Sequence, residues 1–312
     1  MNYLIIGNGV AGVEAALAIR KHDAEGEITI ISESKNMFYY RPKVIEYLAG
    51  GMSADKLTLY KSDIYEKNRI RLVLDSRVIE INPSDKTVMD FMGSNYQYDR
   101  LLIATGARPS MPSVKGSSLR GVFTLRGITD ADEIMEHCKS KSKIAVIGGG
   151  LLGLETANGL MKPGREITVV EFFEWLLPRQ LDREGGAILQ GMLEEKGLSF
   201  VLGDSVDHLE GRDLVEAVTL KSGRKIEADT VIFSAGILPR TEIVSTAGIA
   251  VEKGIVVNDF LQTSVSDIYA AGDPVQHRGR IYGIWPAARE QGIAAGLNMA
   301  GVPTKYEGTM MA

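Results

Sequence analysis

Two glycine clusters carry the chemistry open to this chain. Gly7, Gly9 and Gly12 stand in Gly7-Asn8-Gly9-Val10-Ala11-Gly12, and Gly148, Gly150 and Gly153 repeat the spacing in Gly148-Gly149-Gly150-Leu151-Leu152-Gly153. Such a turn needs its first glycine for the bend, its second so that the backbone can approach a diphosphate, and its third for close packing of helix on strand. The amide donors and dipole at the start of the following helix favour an anion. An acid about 20 residues further on would grip ribose hydroxyls. Glu33 and Glu171 stand in those places, each at the end of an apolar run. The chemistry is the binding of two dinucleotides.

A carboxylate at Glu171 repels a 2′-phosphate, so NADH is preferred to NADPH. Arg165 precedes the strand and is expected to be surface charge. The useful pair of dinucleotides is one hydride donor and one flavin that accepts from it, which makes the chain an oxidoreductase. Hydride transfer needs stacking and orientation more than an acid or base, so no catalytic side chain is expected. The four histidines, His22, His137, His208 and His277, have no metal-ligand spacing, and His277 reads as a loop residue. No metal is expected.

The elements that must position these residues follow from periodicity. Tyr3 to Ile6 reads as strand, Val13 to Lys21 as helix and Ile28 to Ile31 as strand. The same order recurs in Ile144 to Ile147, Leu154 to Met161 and Ile167 to Val170. Short strands are expected at Ile70 to Leu74, Val78 to Ile81, Thr87 to Phe91 and Leu101 to Ala104. Past the second turn come a helix at Arg183 to Lys196, a strand at Ser199 to Leu202, a hairpin around Ser222-Gly223 and a strand at Thr230 to Phe233. Thr105-Gly106-Ala107-Arg108-Pro109 and Ala235-Gly236-Ile237-Leu238-Pro239-Arg240 are similar strand exits, and such sites suit crossovers between domains. The expected fold is α/β, with two three-layer Rossmann-like domains. Residues 110–237 form the NAD(H) domain, inserted in an FAD domain made of 1–109 and 238–312.

Composition limits the partners. The chain has 312 residues, enough for two domains, and a net charge of −5, which offers no basic footprint for nucleic acid or an anionic membrane. Cys138 is the single cysteine, set in a polar stretch and expected at or near the surface, so neither an intramolecular disulfide nor a Cys-x-x-Cys motif is available. The apolar N-terminus lacks a basic flank and a cleavage site, and no apolar run reaches spanning length, so a cytoplasmic protein is expected.

The two turns, with Ala271-Gly272-Asp273 and Trp285-Pro286-Ala287-Ala288-Arg289-Glu290-Gln291-Gly292, resemble the FAD-dependent pyridine nucleotide-disulfide oxidoreductases. The branch is that of rubredoxin reductase, putidaredoxin reductase and the FAD module of nitrite reductases. The resemblance covers nearly the whole chain. It implies FAD at Gly7, Gly9, Val10, Ala11 and Gly12, with Glu33 and Ser34, Val78, Ala104, Thr105 and Gly106, and the ribityl chain on Gly272 and Asp273. Tyr40-Arg41-Pro42-Lys43 is similar to the stretch beside the flavin, so Arg41 and Lys43 would offset diphosphate charge, while Glu46 stands where some relatives have a lysine. Trp285 would lie near the flavin edge that faces the acceptor. NADH would take Gly148, Gly150, Leu151, Leu152 and Gly153, with Glu155 beside the nicotinamide, Glu171 at the ribose and Gly236 nearby. Gly121 to Arg126, followed by Asp130, is similar to the family's entry into the NAD domain.

The implied activity is NADH-driven electron transfer to a small carrier or iron-sulfur protein of rubredoxin, ferredoxin or nitrite reductase type. The alternatives are an NADH oxidase that reduces oxygen and a flavin-bound interaction protein that responds to reduction. Relatives usually continue into a third α/β domain that often supplies a dimer surface. The 312 residues end before one, which leaves homo-oligomers open.

Overall fold

The structure, a computed structural model, describes residues 1–310. The chain divides into two compact units. The first comprises Met1–Tyr40, Thr58–Arg108 and the chain from Ile237 onward, and the second Arg41–Leu57 and Pro109–Gly236.

The first unit is built on a five-stranded parallel sheet whose order is Ile268–Ala270, Arg100–Ile103, Asn2–Ile6, Glu27–Ile31, Ile70–Val73. Its strands are runs of Ile, Leu and Val buried on both faces, as parallel strands covered by helices must be. Ile5, Ile30, Leu101, Leu102 and Ile103 are fully buried. The helix Val10–His22 buries Ala11, Val13, Ala15, Ala16 and Ile19, and its last turn carries Arg20, Lys21 and His22, cations that suit the negative end of the helix dipole. It lies against the helix Trp285–Met299 with backbones nearly touching: a Cβ at Gly292 or Gly296 would stand 2.3 or 2.5 Å from the carbonyl oxygens of Ala11 and Ala15. The rising pairs Ala11 with Gly292 and Ala15 with Gly296 make the helices parallel. Trp285–Met299 therefore overruns the start of Val10–His22 by almost two turns, about 10 Å.

The second unit repeats the plan. Its parallel sheet has the order Leu198–Leu202, Glu166–Glu171, Lys143–Ile147, Thr230–Phe233, Val122–Thr124. The expected hairpin forms between Val215–Leu220 and Lys225–Glu227, with Gly223 in the left-handed region at φ +87°.

Three expectations are corrected. Residues 41–57 group with the second unit because the helix Val44–Leu48 packs there. Ile45 and Ala49 meet Gly159, where a Cβ would be 3.5 Å from each, and the Tyr47 hydroxyl donates to Asp132 at 2.5 Å. Cys138 is 2% exposed, because Ala131, Ile134 and Cys138 share the inward face of the helix Ile128–His137 and its cap. Burial pushes its thiol above the ordinary range. His277 is fully buried at the end of the strand Val275–His277, with Nε2 3.0 Å from Asp259 and its ring 5.0 Å from that of Tyr306. The polar flanks of Cys138 and His277 hid both positions. Among the described residues no helix is long and apolar enough to cross a membrane, and no three or more His, Cys, Asp or Glu side chains are grouped to hold a metal ion.

Candidate functional site: two glycine turns

The first turn follows the strand Asn2–Ile6. Gly7 has φ +119°, and its amide donates to Ile31 O at 2.7 Å. A Cβ on Gly7 would stand 2.2 Å from Ala104 O, and one on Gly12 would stand 2.0 Å from Gly7 O. Gly9 differs, since a Cβ there meets nothing within 4 Å. The outer glycines thus answer to the fold, and the middle one leaves backbone bare. Gly9 is also the N-cap of Val10–His22 without a side-chain cap, and the first turn of that helix holds no acid. Its opening amides therefore have no side-chain acceptor, the condition under which a helix start takes an anion.

Asn8 was not among the expected site residues, because its place in the motif accepts any residue. It is 8% exposed, its Oδ1 accepts from the Tyr65 hydroxyl at 2.7 Å, and its buried Nδ2 has no partner among the described residues. Burial pushes Tyr65 up to about 12, so the phenol stays a donor. Amide donors without a competing carboxylate fit a diphosphate.

The second turn has the same construction. Gly148 has φ +119° and donates to Val170 O at 2.8 Å. A Cβ on Gly148 would lie 2.4 Å from Ser234 O and one on Gly153 would lie 1.9 Å from Gly148 O, while one on Gly150 meets nothing within 4 Å. Gly150 is the uncapped start of Leu151–Leu160, which again has no acid in its first turn. Leu151 and Leu152 are 55% and 39% exposed, and Glu155 is exposed one turn on. The helix start after Gly150 is open to a diphosphate in the same way, although in this turn the Gly149 amide is already taken by the Glu171 carboxylate.

The two acids are held differently. Glu171 is buried, with one carboxylate oxygen accepting from Gly149 N at 2.5 Å and the other from Phe173 N at 2.9 Å. Glu33 is half exposed and pairs with Arg240. The backbone of Arg240 is fixed in turn, its amide donating to Gly106 O at 3.0 Å and its carbonyl accepting from Thr105 Oγ1 at 2.7 Å. Arg240 is a second residue that sequence reasoning missed, since 207 positions separate it from Glu33 and no spacing rule joins them.

The loop Ala271-Gly272-Asp273 closes onto the first turn. Gly272, at φ +89°, donates to Gln291 Oε1 at 2.7 Å, and a Cβ there would lie 3.1 Å from Ala11 Cβ. Asp273 is half buried beside it. Ala104, Thr105, Gly106, Gly272 and Ala11 thus share one corner with Gly7, Gly9 and Gly12. Trp285, where the C-terminal helix overhangs this corner, meets Tyr40 edge to face at 5.1 Å, and its buried Nε1 has no partner among the described residues.

The other expected residues are placed as follows. Val78 is buried in the strand Val78–Asn82, and Ser34 is exposed, its hydroxyl accepting from Asn36 N at 3.1 Å. Arg41 and Lys43 form a single 3-10 turn in the second unit, with Lys43 Nζ 3.5 Å from Glu46. Gly236, at φ +91°, accepts from Ser110 N through its carbonyl. Asp130 accepts from the amides of Arg126 and Gly127 at the start of Ile128–His137. Arg165 is not free surface charge. Its guanidinium donates to Leu160 O at 2.9 Å and Cys138 O at 2.6 Å, closing the C-terminal ends of two helices.

Comparison with known proteins gives the chain's relatives. The chain is 38% identical over 312 residues to a nitrite reductase [NAD(P)H] of Bacillus subtilis, covering 99% of this chain and 38% of that protein, so it spans well under half of that relative's length. It is 34% identical over 304 residues to the NADH-rubredoxin oxidoreductase of Clostridium acetobutylicum, covering 97% of this chain and 76% of that one. The crystal structure of the covalent putidaredoxin reductase-putidaredoxin complex superposes with a TM-score of 0.90 at 31% identity, over 98% of this chain and 76% of that one. The model of the pyridine nucleotide-disulphide oxidoreductases matches residues 1–292, and the chain belongs to that family.

Proposed function

We propose that the first glycine turn binds FAD, that the second binds NADH, and that the chain passes electrons from NADH to a small electron-carrier or iron-sulfur protein. The observation that carries this reading is the bare middle glycine in both turns. Gly9 and Gly150 have open space where the outer glycines have backbone. When both are bound, the dinucleotides supply the hydride chemistry themselves, from nicotinamide to flavin. The work left to the chain is to bind and orient.

In this reading the uncapped amides after Gly9, with the Asn8 amide behind them, take the flavin diphosphate. Glu33, steadied by Arg240, takes the adenosine ribose, and Asp273 the ribityl chain. The first compact unit is then the FAD domain and the second the NAD(H) domain. In the second unit Glu171 would accept the ribose hydroxyls. Its two backbone bonds keep it from swinging aside for a 2′-phosphate, and Arg165 is engaged elsewhere, which supports NADH over NADPH. With Cys138 alone and buried, a dithiol route within the 312 residues is absent, which supports an external acceptor and suits a cytoplasmic setting. The names of the relatives support a redox-protein acceptor.

The test begins with the spectrum of the purified protein, which should be yellow and should bleach with NADH in the absence of air. Reoxidation by rubredoxin much faster than by oxygen supports the carrier reading. Fast reoxidation by oxygen alone replaces it with an NADH oxidase, and slow reoxidation by every acceptor replaces it with a redox-responsive binding protein. A protein that binds no added FAD ends the proposal.

A further inference from the structure

The two turns match in backbone and differ in their second residue. Gly7 and Gly148 share φ +119°, and the caps Gly9 and Gly150 are both extended. Between them stand Asn8 in the first turn and Gly149 in the second. Gly149 lies outside the left-handed region, so its backbone would admit a side chain. The acid is what crowds one out. A Cβ there would stand 3.0 Å from both Cβ and Oε2 of Glu171, and 3.0 Å from Leu176 Cδ2. The bare residue is thus the floor of the seat in which the Glu171 carboxylate accepts from the Gly149 amide at 2.5 Å.

In the first turn the second place carries a side chain. Asn8 is buried, and its Oδ1 accepts from the hydroxyl of Tyr65, on the helix Ser62–Lys67, at 2.7 Å. Glu33, the matching acid, stands half exposed with Arg240 as its partner. Where the second place is bare the acid lies in the turn, and where it is filled the acid lies outside.

We infer that the second residue of each turn decides where the ribose acid stands, and that Gly149 is the positioning residue that keeps Glu171 against the ribose, an inference that rests on the second turn binding NADH. A carboxylate seated on two main-chain amides cannot move away from a 2′-phosphate, whereas one turned out toward solvent can. Gly149 thereby sets the preference for the nucleotide without that phosphate, acting only through Glu171.

Gly149→Asn copies the first turn, where Asn8 stands beside the proposed flavin diphosphate, so a side chain in this place is compatible with a dinucleotide. Calorimetric titration of the FAD-loaded protein with ADP-ribose and with 2′-phospho-ADP-ribose reads the site without turnover. In the variant the Kd for ADP-ribose should rise about tenfold, as for the loss of a hydrogen bond to a charged group, while that for the 2′-phosphate form stays or falls. Without nucleotide, the Phe173 amide, which donates to Glu171, should exchange its hydrogen several-fold faster than in the wild type. Gly149→Ala adds one methyl and should move both readings the same way by a smaller factor. A retained preference, an equal weakening of both ligands or an unmoved Phe173 amide overturns the inference. A wild-type protein that binds neither ligand overturns the reading of the second turn, and with it the nucleotide part of the inference, while the Phe173 amide still decides where the acid stands.

Discussion

Gly9 and Gly7 sit two residues apart and are glycines for different reasons. Gly9 has φ −87° and ψ −177°, an extended conformation open to any residue, and clear space around its missing Cβ. Gly7 combines a positive φ with a carbonyl 2.2 Å from where a Cβ would be. Gly9→Ala should therefore leave the flavin-free protein within about 1 kcal/mol of its stability and remove its ability to retain FAD. Gly7→Ala should cost more than about 2 kcal/mol with or without flavin. Chemical denaturation of the apo forms, with flavin absorbance after gel filtration, checks both. The spacing showed the triads in the sequence because a turn is a local object. It also divided labour among the three glycines, but it could not name what crowds the first of each triad, since Ala104 and Ser234 lie about 90 residues away. Arg240 was illegible for the same reason, as was the free amide of Asn8.

Among the elements, those with long apolar runs were legible and those with polar flanks were not. The sheet strands that were expected lie within a residue or two of their expected limits, because buried parallel strands leave continuous hydrophobic runs, whereas the three-residue strands Ile268–Ala270 and Val122–Thr124 were not expected. The strand Val275–His277 has no such run, being three residues that end in a histidine. It pairs in parallel with Ile255–Val257, and charge fastens its end. Arg278 donates to both carboxylate oxygens of Asp259, at 2.9 and 2.8 Å, while buried His277 faces the same group. Arg278 first, and His277 after it, pull Asp259 from its ordinary value of 3.8 down to about 2. A carboxylate depressed by folding stabilises the fold above its unfolded pKa, and that contribution is lost as pH falls through the folded value. Here the loss falls between about pH 4 and 2. Arg278→Ala should return Asp259 toward the ordinary range and move acid unfolding to higher pH, read by circular dichroism. An unmoved acid transition would show that the pair does not hold this strand.

At the scale of the whole molecule, the repeated strand, turn, helix and acid announced two dinucleotide folds, and the two five-stranded sheets place their corresponding strands in the same order. The grouping of Arg41–Leu57 with the second unit was hidden, because it depends on Gly159 receiving Ile45 and Ala49 from more than a hundred residues away. What the repeat also hid is that its two acids are held by different kinds of bond. Glu171 is fixed by main-chain amides, largely out of the reach of dissolved ions, whereas Glu33 depends on a half-exposed ion pair with Arg240. Salt screens exposed charge pairs and has little purchase on buried amide bonds. In the proposed assignment ionic strength becomes a control that acts on one nucleotide more than the other. Flavin release should quicken several-fold between low and high salt, more than any change in the apparent Kd for NADH, and Arg240→Ala should abolish that difference. The cofactor meant to stay would then be the one whose tenure the surrounding electrolyte sets, while the one meant to come and go finds the same ribose site at every visit.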